Sequence, residues 1–457
     1  MKKTTLDTIE KLKPNDLVAL NYLYLYRAMD IEQIMKEVYE VDTETAGGKR
    51  SRTVIVKRLM STSVVTTSKY LPNREALQIT NKGIDIVRYT RDIPNEVFDA
   101  NTKTIERGYY TAADLNLGSR FINHQVHLNQ FMLDFQEYAK KLGIPWHYYD
   151  EKFLSQYVGM RPDGMITMLD HDFFIEIDMA TESKDQLKEK WEHYRSFMKT
   201  DEYKHKSRKI VVLFDVDNLL SKNKIANRVN LVKSTLVDGI LDEINNDFEI
   251  VIKPRQELIK YMFESLVPDL LRKNESKNSI LNYFEEKKYS LAYGFGLNKT
   301  LHGDFYNYYL RNLDDKGKII INDGVVDEFF ADFYLDEEMS VLHRVNWYEK
   351  NSYLYKEAFG RPIRLIVVTN NLETLFEDFK LVGMRILGQP GIFVLDTNRL
   401  DTYNPIYMNL LQFGLGGEVF KITTPDLSRR EFIYKINNNK SINHRKGNIK
   451  HNGKRKV

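Results

Sequence analysis

Residues 161–178, RPDGMITMLDHDFFIEID, hold the acids whose spacing best suits chemistry. Asp163 follows a proline in a turn, and the apolar run Phe173-Phe174-Ile175 ends in Glu176-Ile177-Asp178. Two carboxylates on neighbouring strands, here Asp163 and Glu176, can share one divalent cation. Mg²⁺ or Mn²⁺ suits such a pair, because these ions take hard oxygen ligands and Mg²⁺ keeps several of its waters. A bound water can then attack phosphorus, so the chemistry implied is phosphodiester hydrolysis. The competing reading is a turn-capping Asp and a solvated edge-strand Glu.

Acids placed this way form the metal-binding half of the PD-(D/E)XK nuclease pattern. That pattern has a lysine two residues after the Glu, and Asp178 stands there instead. Asp178 is then a third ligand or a salt-bridge partner. Glu182 can reach the ion or help Ser183 cap the next helix. A cation is still wanted near the attacked phosphate, and Lys184, Lys188 and Lys190 on that helix are the candidates. The first-turn position favours Lys184, and helical spacing puts Lys188 on the same face. The alternative for each is an ordinary solvated lysine. His124 and His127 lie on an apolar helix face, where a histidine is more often a satisfied core group than a ligand. No Ser-His-Asp set, phosphate-cradling loop or dinucleotide fingerprint is present.

These side chains need elements to position them. Residues 119–143 read as a long helix ending at Gly143, followed by strands at 146–149, 164–169 and 173–178. A helix over 184–198 and a strand over 209–214 complete the run. Helix, three strands, helix, strand is a minimal restriction-endonuclease-like core, expected over 119–250. Residues 322–370 echo 162–214. Asp323-Gly324 parallels Asp163-Gly164, and Phe329–Asp332 parallels Phe173–Glu176. Trp347 and Ile366 follow Asp332 at the spacings by which Trp191 and Ile210 follow Glu176. A degenerate second copy of the core within 251–435 is one reading, and chance alignment of apolar strands is the other. Further strands are expected near 289–295, 318–321 and 391–395.

Residues 1–90 read as three helices, the last from Ser51 after a break at Gly47-Gly48. Two strands follow around Pro72-Asn73, then a closing helix over 82–89. This is a winged helix-turn-helix order. The third helix carries Lys49, Arg50, Arg52, Lys57 and Arg58 with no acid among them, and the hairpin carries Lys69 and Arg74. A recognition helix needs such a stripe for phosphates and base edges, so double-stranded DNA is the expected partner. A solvated basic helix in a protein-contact domain is the alternative. Residues 91–118 read as a polar linker holding Tyr109-Tyr110. A tyrosine can hold a cut 5′ end, but among 28 tyrosines most are packing residues, so this pair ranks low.

At 457 residues the chain expects two or three domains. Net charge is only +3, so a nucleic-acid surface must come from local clusters. The absence of Cys excludes disulfides, zinc-thiolate sites and cysteine nucleophiles, and suits a cytoplasmic protein. No segment is long and apolar enough to be read as a membrane span. The end of the chain, 436–457, is basic without acids (Lys440, Arg445, Lys446, Lys450, Lys454, Arg455, Lys456), as in disordered tails that bind nucleic acid or merely solubilise.

Several of these features together resemble the replication-relaxation family of Gram-positive plasmids and integrative elements. They are the winged helix, RPDG…FFIEIDMATES, the helix with Lys184, Lys188, Lys190, Trp191 and Tyr194, and NHQVHLNQF after Arg107–Tyr110. The resemblance covers roughly residues 10–215. It implies a protein needed for replication or strand relaxation at an origin, with replication or conjugation proteins as further partners. Two readings follow, both α/β (α+β) in class. One is a metal-dependent nicking enzyme or relaxase. The other is a non-catalytic DNA-binding regulator of replication or transcription on an inactive nuclease-like scaffold. A homodimer fits either.

Overall fold

The computed structural model describes residues 3–92, 98–99, 104–105, 110–151, 157, 159–216, 221–245, 247–271, 273–292, 306–312, 314, 316, 318 and 328–436. Tyr109, the Asp323-Gly324 pair and the basic tail from Lys440 lie outside these residues, as do positions 293–295 and 319–321 of two expected strands. The fold is mixed α/β with several sheets. The chain divides into two units, Met1–Asn274 and Glu275–Val457. A boundary at 250 would cut the strand Phe248–Pro254, which pairs with Lys209–Val216, so the first unit runs on to Asn274.

After a short helix over Lys3–Ile9, the first unit carries α1 (Pro14–Tyr26), β1 (Ala28–Asp30), α2 (Ile31–Tyr39) and α3 (Ala46–Ser61). Then come β2 (Val65–Leu71), β3 (Arg74–Ile79) and α4 (Asn81–Arg91). β3 is the central strand, antiparallel to both β1 and β2. Leu20, Leu23, Ile34, Leu59, Leu77 and Ile84 fill the space between helices and sheet. Asn73 turns the hairpin with a left-handed φ of 63°, a conformation Asn tolerates better than most residues.

Two local expectations change. β1 is too short for a sequence pattern to register. The glycine pair does not break the chain: α3 begins at Ala46 and runs through Gly47 and Gly48. Thr45 caps it by accepting from the Gly48 N–H at 3.0 Å. A Cβ at Gly48 would lie 1.8 Å from the Asp42 carbonyl oxygen, so this glycine permits a close backbone approach.

The second part of this unit is built on α5 (Ser119–Leu142) and a five-stranded sheet. Its strands are β4 (Trp146–Asp150), β5 (Gly164–Met168), β6 (His171–Asp178), β7 (Lys209–Val216) and β8 (Phe248–Pro254). The first three pair antiparallel, and β6, β7 and β8 pair parallel. Parallel pairs need crossovers, supplied by α6 (Lys184–Met198) and α7 (Lys222–Gly239). Every residue of β6 is buried. That suits a central strand covered on both faces, and it obliges Asp172, Glu176 and Asp178 to find partners.

The second unit carries α8 (Glu275–Glu286), β9 (Tyr289–Ala292), β10 (Tyr308–Asn312), β11 (Glu328–Tyr334) and α9 (Met339–Phe359). β12 (Arg364–Thr369), α10 (Leu372–Val382) and β13 (Ile392–Asp396) follow. The sheet continues through β14 (Leu410–Phe413), β15 (Glu418–Ile422) and β16 (Arg430–Lys435), in sequence order throughout. From α8 to β13 the order of elements and the sense of each strand pair repeat those from α5 to β8.

The residue matches within this repeat differ from those the spacing suggested. Gly164 pairs with Ile175, which places Asp163 level with Glu176. In the second unit Tyr308 pairs with Ala331, so Asn307 stands level with Asp332. Glu176 pairs with Phe214 and Asp332 with Val367, so Ile210 and Ile366 are not equivalent.

Candidate functional site

Asp163 is held at the mouth of β5 by the turn that precedes it. Its Oδ2 accepts the Ile177 N–H at 2.7 Å, tying the turn to the end of β6. Gly164 permits this fit, because a Cβ there would meet the Tyr148 ring at 3.0 Å. His124, on α5, brings Nε2 to 3.2 Å from Asp163 Oδ2 and 3.2 Å from the Ile177 carbonyl oxygen.

Glu176 points to the face covered by α6. Lys190 Nζ donates to its Oε2 at 3.0 Å, and the Tyr194 hydroxyl donates to its Oε1 at 2.5 Å. The same ammonium lies 3.1 Å from Glu182 Oε1. The other oxygen, Glu182 Oε2, is buried and has no hydrogen-bond partner.

Burial pushes the Asp163 carboxyl up, but His124, Lys190 and the Ile177 N–H outweigh it and hold it below the usual range. Glu176 goes the other way. Burial raises it and Asp163 adds to the rise, against the opposing pull of Lys190 and Tyr194. For Lys190, burial favours the neutral amine, yet Glu176, Asp163 and Glu182 together raise it, so it stays charged. Burial and the neighbouring Glu176 raise the Tyr194 phenol, which therefore remains a donor. The cluster thus pairs a readily ionised carboxylate with a reluctant one around a fixed positive charge.

The remaining candidates are placed as follows. Asp178 accepts two bonds from Arg228, at 2.6 and 2.8 Å, and one from the Ala180 N–H at 2.8 Å. It serves as a buried anchor between β6 and α7. Lys184 and Lys188 are exposed on α6 and make none of the contacts that Lys190 makes. Ser183, rather than Glu182, caps α6 through the Gln186 N–H.

On the basic side, Lys49, Arg50, Lys57 and Lys69 are exposed. Arg52 is paired with Glu32 at 3.1 Å and Arg74 with Asp30 at 3.4 Å. Arg58 is turned inward, with Nε and Nη2 on Asp16 at 2.9 and 2.7 Å. Tyr110 is held through its carbonyl oxygen by Arg88 at 2.9 Å.

Residues 20–213 match the profile of the replication-relaxation family. This part of the chain belongs to that family. No curated protein and no solved structure matches the chain. The replication-relaxation segment runs from within α1 into β7, so it encloses both the basic helix and the acid cluster and stops before the second unit. Its function is accordingly one related to replication and relaxation. Among the described residues, no helix is long and apolar enough to cross a membrane.

The donor chemistry sets which ion this segment could take. Asp163, Glu176 and the unpartnered Glu182 Oε2 are all oxygen donors. Among the described residues, no group of three or more His, Cys, Asp or Glu side chains is gathered into a ready cage. Such a set fits an ion that keeps most of its waters and takes one or two carboxylates, as Mg²⁺ does. It does not fit a closed zinc site.

Proposed function

We propose that this replication-relaxation protein binds duplex DNA through α3 and the β2–β3 hairpin of a winged helix. On this reading it nicks one strand at the Asp163–Glu176 site of a PD-(D/E)XK-like core. It acts in the cytoplasm at an origin of a plasmid or integrative element, with duplex DNA as its main partner. The observation that carries this reading is Lys190, whose ammonium sits on Glu176 and Glu182 beside Asp163. It provides, from the helix, the cation that the FFIEID strand lacks.

The roles follow from the contacts. Asp163 and Glu176 hold the metal, Mg²⁺ or Mn²⁺, which when bound supplies Lewis-acid polarisation of the scissile phosphate. Tyr194 fixes Oε1 of Glu176, and Oε2, which Lys190 holds here, would be the oxygen turned to the ion. His124 fixes the Asp163 carboxylate from α5. Lys190 offsets charge that develops on the phosphate. Lys49, Arg50, Lys57 and Lys69 contact phosphates and base edges. Arg52 and Arg74 keep their acidic partners and contribute less, and Arg58 serves the packing of α3.

The test is incubation with a supercoiled plasmid bearing the protein's own origin and Mn²⁺, with nicked circles resolved on a gel. Wild type gives nicks, while Asp163→Asn gives none and still shifts the duplex. A second reading is favoured by one observation: Lys190, His124 and Tyr194 already satisfy both acids. In that case the core is a scaffold in a DNA-binding regulator, and binding occurs without strand breakage under any divalent ion.

A further inference from the structure

Helix α5 touches both halves of this machinery. On one side Asn129, fully buried, donates to the carbonyl oxygens of Ala28 and Tyr26 at 2.5 and 3.3 Å. Gln33 of α2 donates to the Val126 carbonyl oxygen at 3.0 Å and to Gln130 at 3.2 Å. Its neighbour Glu32 holds Arg52 of the basic helix. On the other side of the same helix, His124 meets Asp163 and the end of β6. Asn129 is five residues from His124, about 7.5 Å along the axis, so grip and site share less than two helical turns.

The described part of the stretch that reads as a linker is strapped down as well. Gln78 of β3 accepts the Leu117 N–H at 2.6 Å and donates to its carbonyl oxygen at 3.3 Å. Arg27 donates to the Leu115 carbonyl oxygen at 3.2 Å, and Asn81 accepts the Ala112 N–H at 2.8 Å. Most of these bonds join a side chain to a backbone group, and those of Asn129 and Gln78 come from buried side chains, so breaking the joint leaves buried polar atoms to find new partners.

We infer that α5 acts as a ruler. It fixes the duplex-binding face and the acid cluster in one rigid body, so the site faces the DNA at a single set offset from the bound sequence. The inference rests on the duplex-binding part of the proposed function and does not need nicking.

The chain has no cysteine, so Thr181→Cys, in the exposed loop between β6 and α6, accepts an iron–EDTA chelate at one place. The full-length protein is bound to a duplex that it has itself enriched from a randomised pool, and radical cleavage is mapped against the nuclease-protected stretch. The expected result is cleavage confined to a few adjacent base pairs at one position. Scattered cleavage beside a sharp protected stretch overturns the ruler and leaves DNA binding standing. No enriched duplex, or none protected, removes the binding reading and the ruler together. Asn129→Ser and, as a milder change, Gln78→Ala should widen the cleaved window. Circular dichroism checks that each still folds, and an unchanged window in both folded variants overturns the role given to α5.

Discussion

The two units place a buried acid on the third strand of the same strand order, Glu176 on β6 and Asp332 on β11, and surround it differently. Glu176 lies level with a second acid, Asp163, and bonds an ammonium that it shares with Glu182. Asp332 lies level with Asn307, accepts that residue's backbone N–H at 2.8 Å, and is bound by Arg344 Nε at 2.8 Å. A guanidinium is planar and permanently charged, and it fixes a carboxylate in place, whereas an ammonium on a flexible stem is a point charge that can reorient. The first arrangement gathers Asp163, Glu176 and Glu182 around one ammonium, and the second is a closed internal pair. Strand topology alone does not set an acid's surroundings; the residue level with it and the type of cation facing it do.

The contrast can be broken most forcefully in the second unit. Arg344→Ala leaves Asp332 buried without its counter-charge, and it should lower stability by about 3–5 kcal/mol, read by urea unfolding. Glu275–Val457 should lose protection from hydrogen exchange while the first unit keeps it. Loss of Mn²⁺ binding in that variant would show that the closed pair matters to the site after all.

Lys190→Met sharpens the other side. It should slow nicking by about 10²–10³-fold, the scale of removing one transition-state donor, with duplex affinity unchanged in a gel shift. Lys184→Met and Lys188→Met should leave the rate nearly intact. Equal losses from all three would mean that the lysines act on DNA rather than on the acid cluster.

Within the basic helix, Arg58→Ala should cost about 2–3 kcal/mol of stability, because Asp16 stays buried without its partner. Lys57→Ala should change stability by less than about 0.5 kcal/mol. It should also reduce the salt dependence of duplex affinity by about one released counterion. Asp16 adds a pH dependence to the same pair. Burial raises its carboxyl, but Arg58, Tyr39 and the Lys13 N–H hold it below the ordinary 3.8. Its contribution is therefore complete above that value and fades as pH falls through the lower folded value. Asp16→Asn should flatten this acid limb of melting temperature against pH.

Much of this was legible in the residues. Ser183 marked the start of α6, and Gly143 ended α5. The apolar run to Glu176 marked a buried strand, which the structure places in the middle of its sheet. What periodicity does not give is how a helix is rotated against its strand. Lys184 and Lys188 satisfy spacing along α6, yet Lys190 faces Glu176. The signal was present, since Lys190 lies in the stripe Leu187, Trp191 and Tyr194, and a lysine among buried residues requires an acid. The Asp178–Arg228 pair joins residues on separate elements, which no local pattern reports. Asn307 was not visible as the residue level with Asp332, because only strand register brings the two together.

The most direct test of the account is a Mn²⁺ titration of the full-length protein followed by electron paramagnetic resonance. The account predicts one bound ion, lost in Asp163→Asn and in Glu176→Gln and kept in Lys184→Met. Absence of binding in the wild type, or binding that survives Glu176→Gln, would contradict it.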